Sequence, residues 1–167
     1  MTTLRVREAE ARDVATILQF IVDLAVYEKE PDAVLASEKD IHDSLFCEAP
    51  RAFALICEQP SSGADEPEAI GFALYFYNYS TWLGKHGIYL EDLYVTPSAR
   101  GLGGGKALLK AVARIARDEG CGRYEWNVLK WNKPSIDFYE ACGAEALDEW
   151  VGYRMDRPGI ERFVADE

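Results

Sequence analysis

The chain has 167 residues, is 49% hydrophobic, and carries 29 acidic against 18 basic side chains for a net charge of −11. That length suits one domain with a sizeable core, so a single domain over residues 1–167 is expected. The charge argues against nucleic acid and anionic membrane as partners; it serves either solubility or a cationic small molecule.

No apolar stretch is long enough to cross a bilayer and Met1–Arg5 shows no signal pattern, so a cytoplasmic location is expected. Cys47, Cys57, Cys121 and Cys142 form no C-x-x-C pair, and His42 and His86 lie far apart, so no metal site is expected. Leu4 to Arg7 alternates apolar and charged residues and reads as a first strand. Asp13 is placed to cap a helix whose apolar positions Val14, Ile17, Leu18, Ile21, Leu24 and Ala25 recur at three and four. Tyr27-Glu28-Lys29-Glu30 ends that helix and Pro31 breaks it. Ser37 to Asp40 has the pattern of a capping box and opens a second helix carrying Ile41, Leu45 and Phe46.

Ala52 to Glu58 is a strand candidate, and Gln59 to Glu68 is a Pro, Ser, Gly and acid-rich loop expected to be mobile. Ala69 to Tyr79 is a long aromatic strand in which Gly71 marks a bulge or an edge. Trp82 to Lys85 turns the chain into a central strand from Gly87, dense in large residues from Leu90 to Val95. After the turn residues Thr96 to Ser98 and a glycine cluster, Ala107 to Arg117 is a run of strong helix formers that ends near Gly120. Arg123 to Leu129 is a further strand. Asn132 to Ala141 is a short helix with Pro134 in its first turn and Gly143 just past its end. Trp150 to Met155 is the last strand, followed by a loosely held tail after Pro158. The order predicts an α/β fold with helices covering a mixed central sheet.

The glycine cluster carries the first chemical signal. Arg100-Gly101-Leu102-Gly103-Gly104-Gly105-Lys106 opens a helix, so its amides can converge on an anion at the positive end of the helix dipole. Arg100 and Lys106 add charge at either side. The expected ligand is a phosphate or pyrophosphate, against the alternative of a flexible turn before a surface helix. The P-loop pattern fails, because its first Gly falls on Arg100 and its Ser or Thr on Ala107. The dinucleotide pattern G-x-G-x-x-G fails at Lys106. Arg-x-x-Gly-x-Gly fits at Arg100, Gly103 and Gly105. This resembles the acetyl-CoA pyrophosphate signature of the GNAT N-acetyltransferase superfamily.

The second signal is a polar stripe. Asn132, Ser135 and Tyr139 are spaced three and four apart, on one face of the short helix. Helix capping by Asn132 with a core aromatic at Tyr139 is the structural alternative. In the GNAT pattern an Asn starts such a helix and a Tyr follows on the same face.

The resemblance extends over Val6 to about Arg154. Tyr27-Glu28, Gly71-Phe72-Ala73, Trp82-Leu83-Gly84-Lys85, Tyr89-Leu90-Glu91-Asp92, Arg100 to Gly103, Trp131-Asn132 through Phe138-Tyr139, and Gly143-Ala144 together resemble the diamine (spermidine/spermine) acetyltransferase branch.

The resemblance implies a GNAT acyl-CoA N-acyltransferase fold and acetyl-CoA as co-substrate. Leu93, Tyr94 and Val95 would serve the pantetheine arm, Gly101 to Lys106 with Arg100 the diphosphate, and Asn132, Ser135 and Tyr139 the thiol end. Glu91 would take the amine proton and Tyr139 would return one to the thiolate. Tyr27, Glu28, Trp82, Glu91 and Asp92 would line the amine side. Glu91 and Asp92 are adjacent, so only one should face the site unless a bulge intervenes. A homodimer is implied as well. One departure bears on the substrate. Polyamine enzymes carry an acidic residue where Lys130 stands, Lys133 adds a cation, and a late carboxylate falls near Val151. A shorter amine or an amino acid such as thialysine or lysine becomes comparable to a polyamine. A peptide or protein amine, and a non-catalytic acyl-CoA-binding module, are the other readings.

Overall fold

Five strands lie side by side in the order in which the chain makes them: β1 (Arg5–Glu8), β2 (Phe53–Gln59), β3 (Glu68–Ser80), β4 (Lys85–Val95) and β5 (Tyr124–Trp126). β1 to β4 pair antiparallel, and β4 pairs with β5 in parallel. The structure is a computed structural model and describes residues 4–60 and 66–165. The sheet belongs to the first of two compact units, Met1–Lys130; the second is Trp131–Glu167.

Helices cover both faces of the sheet. The stripe of apolar residues foreseen in α1 (Val14–Tyr27) buries Val14, Ile17 and Phe20 against Ile41 and Leu45 of α2 (Glu38–Leu45) and against Ala54, Ile56, Phe72 and Tyr94 of the strands. By the alternation of strand side chains, Leu55, Cys57 and Ala73 point the other way. There α3 (Gly104–Asp118) buries Leu108, Leu109, Val112 and Ala116. Burying each such side chain contributes about 1.5–3 kcal/mol, which holds the sheet between its helices.

Most helix signals act where expected. The Ser37–Asp40 capping box forms. Gly120 and Gly143 take the left-handed conformation just past the ends of α3 and of α4 (Lys133–Ala141). Asp13 acts differently: its side chain makes no bond into α1. It accepts the Glu10 amide at 2.7 Å and pairs with the Arg7 guanidinium at 2.6 Å, while Arg7 also reaches Glu58 at 2.6 Å. The nearby cation outcompeted the capping role. Gly71 lies inside the sheet, not at an edge. The extra residue of the β2–β3 bulge falls beside it, between the pairs Cys57↔Gly71 and Glu58↔Ala69. Most of the loop after Gln59 is the stretch 61–65, which lies outside the described residues.

One expectation fails near the C-terminus. The segment 150–155 forms no strand: Val151, Tyr153 and Met155 alternate as a strand face would, but no strand among the described residues pairs with them, and all three stay exposed. The tail, expected to be loosely held, buries no residue yet is helical. It forms α5 (Arg157–Ala165), whose start is capped by the Asp156 carboxylate accepting the Gly159 amide at 2.8 Å. The strand expected over Arg123 to Leu129 also shortens to Tyr124–Trp126.

Candidate active site

β4 changes character halfway along. Its first half pairs on both sides, with β3 and, from Ile88↔Tyr124 to Leu90↔Trp126, with β5. There the β5 ladder stops, and Glu91 to Val95 continue with β3 alone. At the same point the β3–β4 register slips: Leu74 faces Asp92, Tyr75 faces Leu90, and Glu91 is the extra residue. A bulge of one residue reverses which backbone groups face which edge. Two hydrogen bonds display the reversal. The Ile88 amide donates to Arg123 O at 3.1 Å, toward β5, whereas the Thr96 amide donates to Ile70 O at 2.8 Å, toward β3. Without the bulge these even-numbered residues would face one edge. Alternation back from Thr96 therefore turns the main-chain groups of Leu93 and Val95 to the edge that β5 has left.

The glycine turn adjoins this open edge. A one-turn 3-10 helix at Pro97–Ala99 leads to Gly101 and Gly103, which hold φ of 83° and 93°, and Gly103 is the N-cap of α3. Left-handed φ costs an ordinary residue about 1–2 kcal/mol, which explains glycine here. A Cβ built on either would meet nothing within 4 Å, so the space over the turn is open. The floor is closed: a Cβ on Gly104 would lie 3.5 Å from Val95 Cγ2 and 3.6 Å from Cys57 Sγ. The first amides of α3, at Gly104, Gly105 and Lys106, have no partner within the helix and point into that space. Ala107 makes the first bond, to Gly103 O at 2.9 Å. Open amides and a helix dipole, on a helix start packed against Val95 of the open edge, suit an anion with an extended arm.

Three carboxylates mark the bulge. Asp92 is half-buried, and burial first, then the charges of Glu91 and Glu28, push its carboxyl up to about 7. Glu28, half-buried at the end of α1, is also raised by burial. Glu91 itself is exposed. The bulge makes Glu91 the extra, exposed residue, while Asp92 beside it is half-buried and feels the charges of both Glu91 and Glu28. Three like charges with burial form a site that gains from a cation.

The remaining expected residues distribute unevenly. Arg100 donates from Nε to Val95 O at 3.2 Å, and its Cζ lies 4.9 Å from the centroid of the Tyr27 ring. Tyr94 is not brought to the open edge. Its ring is in the core, 5.7 Å from that of Phe20, its hydroxyl bonds the Asp23 carboxylate, and its backbone faces β3. Trp82 lies in the turn before Lys85 and is 87% exposed. Six strand residues at about 3.3 Å each put it about 20 Å from Glu91, so within one chain it does not join the carboxylates. In the second unit, Asn132 is buried and its Oδ1 accepts the Ser135 amide at 3.4 Å, so capping is part of its role. Tyr139 is half-buried on α4 with its ring 5.3 Å from that of Phe138. Sequence reasoning missed the Arg100–Tyr27 contact and the Tyr94–Asp23 pair; both join residues more than seventy positions apart in the chain, and no local pattern marks them.

The sequence pattern of the acetyltransferase (GNAT) family matches residues 19–144. The chain belongs to that family. Among its relatives, the thialysine N-epsilon-acetyltransferase of Bos taurus is 41% identical over 94% of this chain and 93% of the relative. A human spermidine/spermine N(1)-acetyltransferase-like protein is 36% identical over 98% of this chain and 24% of its own length. Of solved structures, an integron cassette protein from the V. cholerae mobile metagenome superposes with a TM-score of 0.76 at 25% identity, over 96% of this chain and 97% of that one. The enzyme is thus an N-acetyltransferase, with the mixed sheet and flanking helices of its family. Members of the family generally use acetyl-CoA, and the open amides of Gly104 to Lys106 beside the free edge of β4 fit such a group. No helix among the described residues is long and apolar enough to cross a membrane, and no cluster there could hold a metal.

Proposed function

We propose that this enzyme transfers acetyl from acetyl-CoA to a primary amine of a small cationic molecule, a thialysine-like amino acid or a short diamine. The observation that carries the substrate class is the Asp92, Glu91 and Glu28 cluster at the bulge, next to the open edge of β4. The relatives named for thialysine and for spermidine/spermine support the same class. Lys130 and Lys133, where a polyamine enzyme would be more acidic, favour the shorter amine.

When bound, acetyl-CoA supplies the acetyl group as a thioester and leaves as a thiol. The chain's residues divide the rest. Arg100, Gly101, Leu102, Gly103, Gly104, Gly105 and Lys106 hold the diphosphate through main-chain amides and two cations. The Leu93 and Val95 main chain holds the arm, and an amide of this edge faces the carbonyl oxygen, where a fixed donor lowers the barrier most. Asn132, Ser135 and Tyr139 serve the thiol end. An alkylammonium with a pKa of about 10.4 must lose a proton before it can attack. Glu91 at the bulge accepts it, and Asp92 and Glu28 hold the second positive group of the substrate. Tyr139 donates a proton to the leaving thiolate and regains the second proton that the acylated nitrogen sheds, while Glu91 releases the first to solvent, so the protons balance.

The resemblance to diamine acetyltransferases also supports a cytoplasmic homodimer. The exposed Leu147, Val151, Tyr153 and Phe163 of the second unit are apolar surface of the kind that a partner covers. The test of function is turnover with acetyl-CoA and a panel of thialysine, lysine, ornithine, diamines, polyamines and N-terminal peptides, following thiol release. Thialysine-like amino acids and short diamines should lead. Preference for peptides, or thiol release no faster than hydrolysis with every amine, would overturn the reading. Tyr139→Phe should lower kcat about 10²- to 10⁴-fold if the phenol is the acid.

A further inference from the structure

Tyr27 falls beside Glu28, and the family resemblance puts it with the amine. The structure gives its ring another occupation. The Arg100 guanidinium sits over the Tyr27 ring with Cζ 4.9 Å from the centroid, while Arg100 Nε donates to Val95 O at 3.2 Å. One arginine therefore touches three things: the glycine turn that it begins, the last carbonyl of the open β4 edge, and the final residue of α1. Val95 O is held by Nε, which leaves the two terminal nitrogens of the fork, the pair that grips a phosphate bidentately.

We propose that Tyr27 is a positioning residue for the diphosphate: its ring holds the Arg100 fork over the glycine turn before the cofactor arrives. This rests on the acetyl-CoA reading above and reassigns Tyr27 from the amine to the cofactor side. The physical case is preorganisation. Arg100 is exposed and next to Gly101, whose φ of 83° only glycine adopts freely, so the local chain restrains it little. An unrestrained arginine loses rotamer freedom on gripping its ligand; one clamped between a carbonyl and an aromatic face has already lost it. The cation–π contact also couples two regions, because the same helix end carries Glu28. Tyr94 belongs to the same locality. Its hydroxyl bonds Asp23, one turn before Tyr27 on α1, and lies within the field of Arg100. In turn Asp23 Oδ1 accepts from Gln19 Nε2 at 2.8 Å. The face of α1 beneath the arginine is thus a hydrogen-bonded row, not a loose surface.

The test measures dissociation constants of CoA and of pantetheine, the probe that lacks the diphosphate, for wild type, Tyr27→Leu and Tyr27→Phe, each also in an Arg100→Gln background. A cation–π contact of ordinary strength predicts that Tyr27→Leu weakens CoA about 2- to 30-fold. Pantetheine should change less than twofold. Tyr27→Phe, which keeps the aromatic face, should restore the CoA preference, and in Arg100→Gln the Tyr27→Leu effect should vanish. A loss shared equally by CoA and pantetheine, or a change confined to the amine KM, would overturn the assignment and return Tyr27 to a structural or substrate role. Unfolding midpoints of each variant separate lost folding from lost positioning. The readout is binding, so it stands apart from catalysis. A protein that prefers CoA through Tyr27 yet acetylates no amine ends the transferase reading and not this one.

Discussion

The two halves of one strand, β4, have opposite fates. Lys85 to Leu90 is paired with β3 and, from Ile88 on, with β5 as well, and Ile88 and Leu90 are buried. Glu91 to Val95 has lost β5, gained one residue in a bulge, and placed a carboxylate that titrates near neutrality beside an open edge. The difference teaches that a sheet becomes a site where its hydrogen bonding is interrupted. The paired half supplies stability and a fixed frame. The unpaired half keeps backbone groups and charges that folding alone would have satisfied.

The sharpest way to separate the halves is to change neighbouring residues on either side of the break. Glu91→Gln should lower kcat/KM for the amine about 10²- to 10⁴-fold, with little change in unfolding free energy, since the side chain is exposed. Leu90→Ala, at a position 2% exposed, should do the reverse: a loss of about 2–5 kcal/mol in denaturant unfolding, with the KM for amine held in the folded fraction. Equal effects on both measurements in both variants would erase the distinction.

Asp92 gives a contrast of sign. Its carboxyl titrates at about 7 in the native chain and at about 3.9 when unfolded. Between those values the native state holds the extra proton. Its stabilising contribution is therefore full below pH 4 and lost as pH rises through 7. Asp92→Asn should remove that slope and make the protein more stable above pH 7, on the order of 2–4 kcal/mol, as read from urea midpoints against pH. The same change should raise the amine KM at pH 8. A wild-type stability that climbs from pH 4 to pH 7 relative to the variant would refute the burial argument.

The smallest effect tests the turn beside the open half. Gly103→Ala has room for its methyl group but not the φ of 93°. The strain should cost about 1–2 kcal/mol, shared between stability and CoA affinity in calorimetry. An unchanged CoA affinity would mean that the turn geometry does not serve the ligand.

Much of this was legible in the sequence, for local reasons. The α1 stripe, the Ser37 box, the left-handed glycines at 103, 120 and 143 and the aromatic strand over 69–79 are set by period, capping and φ, which neighbouring residues decide among themselves. The Arg-x-x-Gly-x-Gly turn was readable as a motif, and at Gly103 the φ of 93° accounts for the glycine. Tertiary structure decided the rest. Whether Asp13 caps or pairs depended on Arg7 and Glu58 reaching it. Whether 150–155 formed a strand depended on a pairing partner. Where β5 stops and where β4 slips at Glu91 depended on pairing across the sheet. Long-range pairing and the charge it buries leave no period in a sequence, because they arise between residues that meet only after the chain has folded.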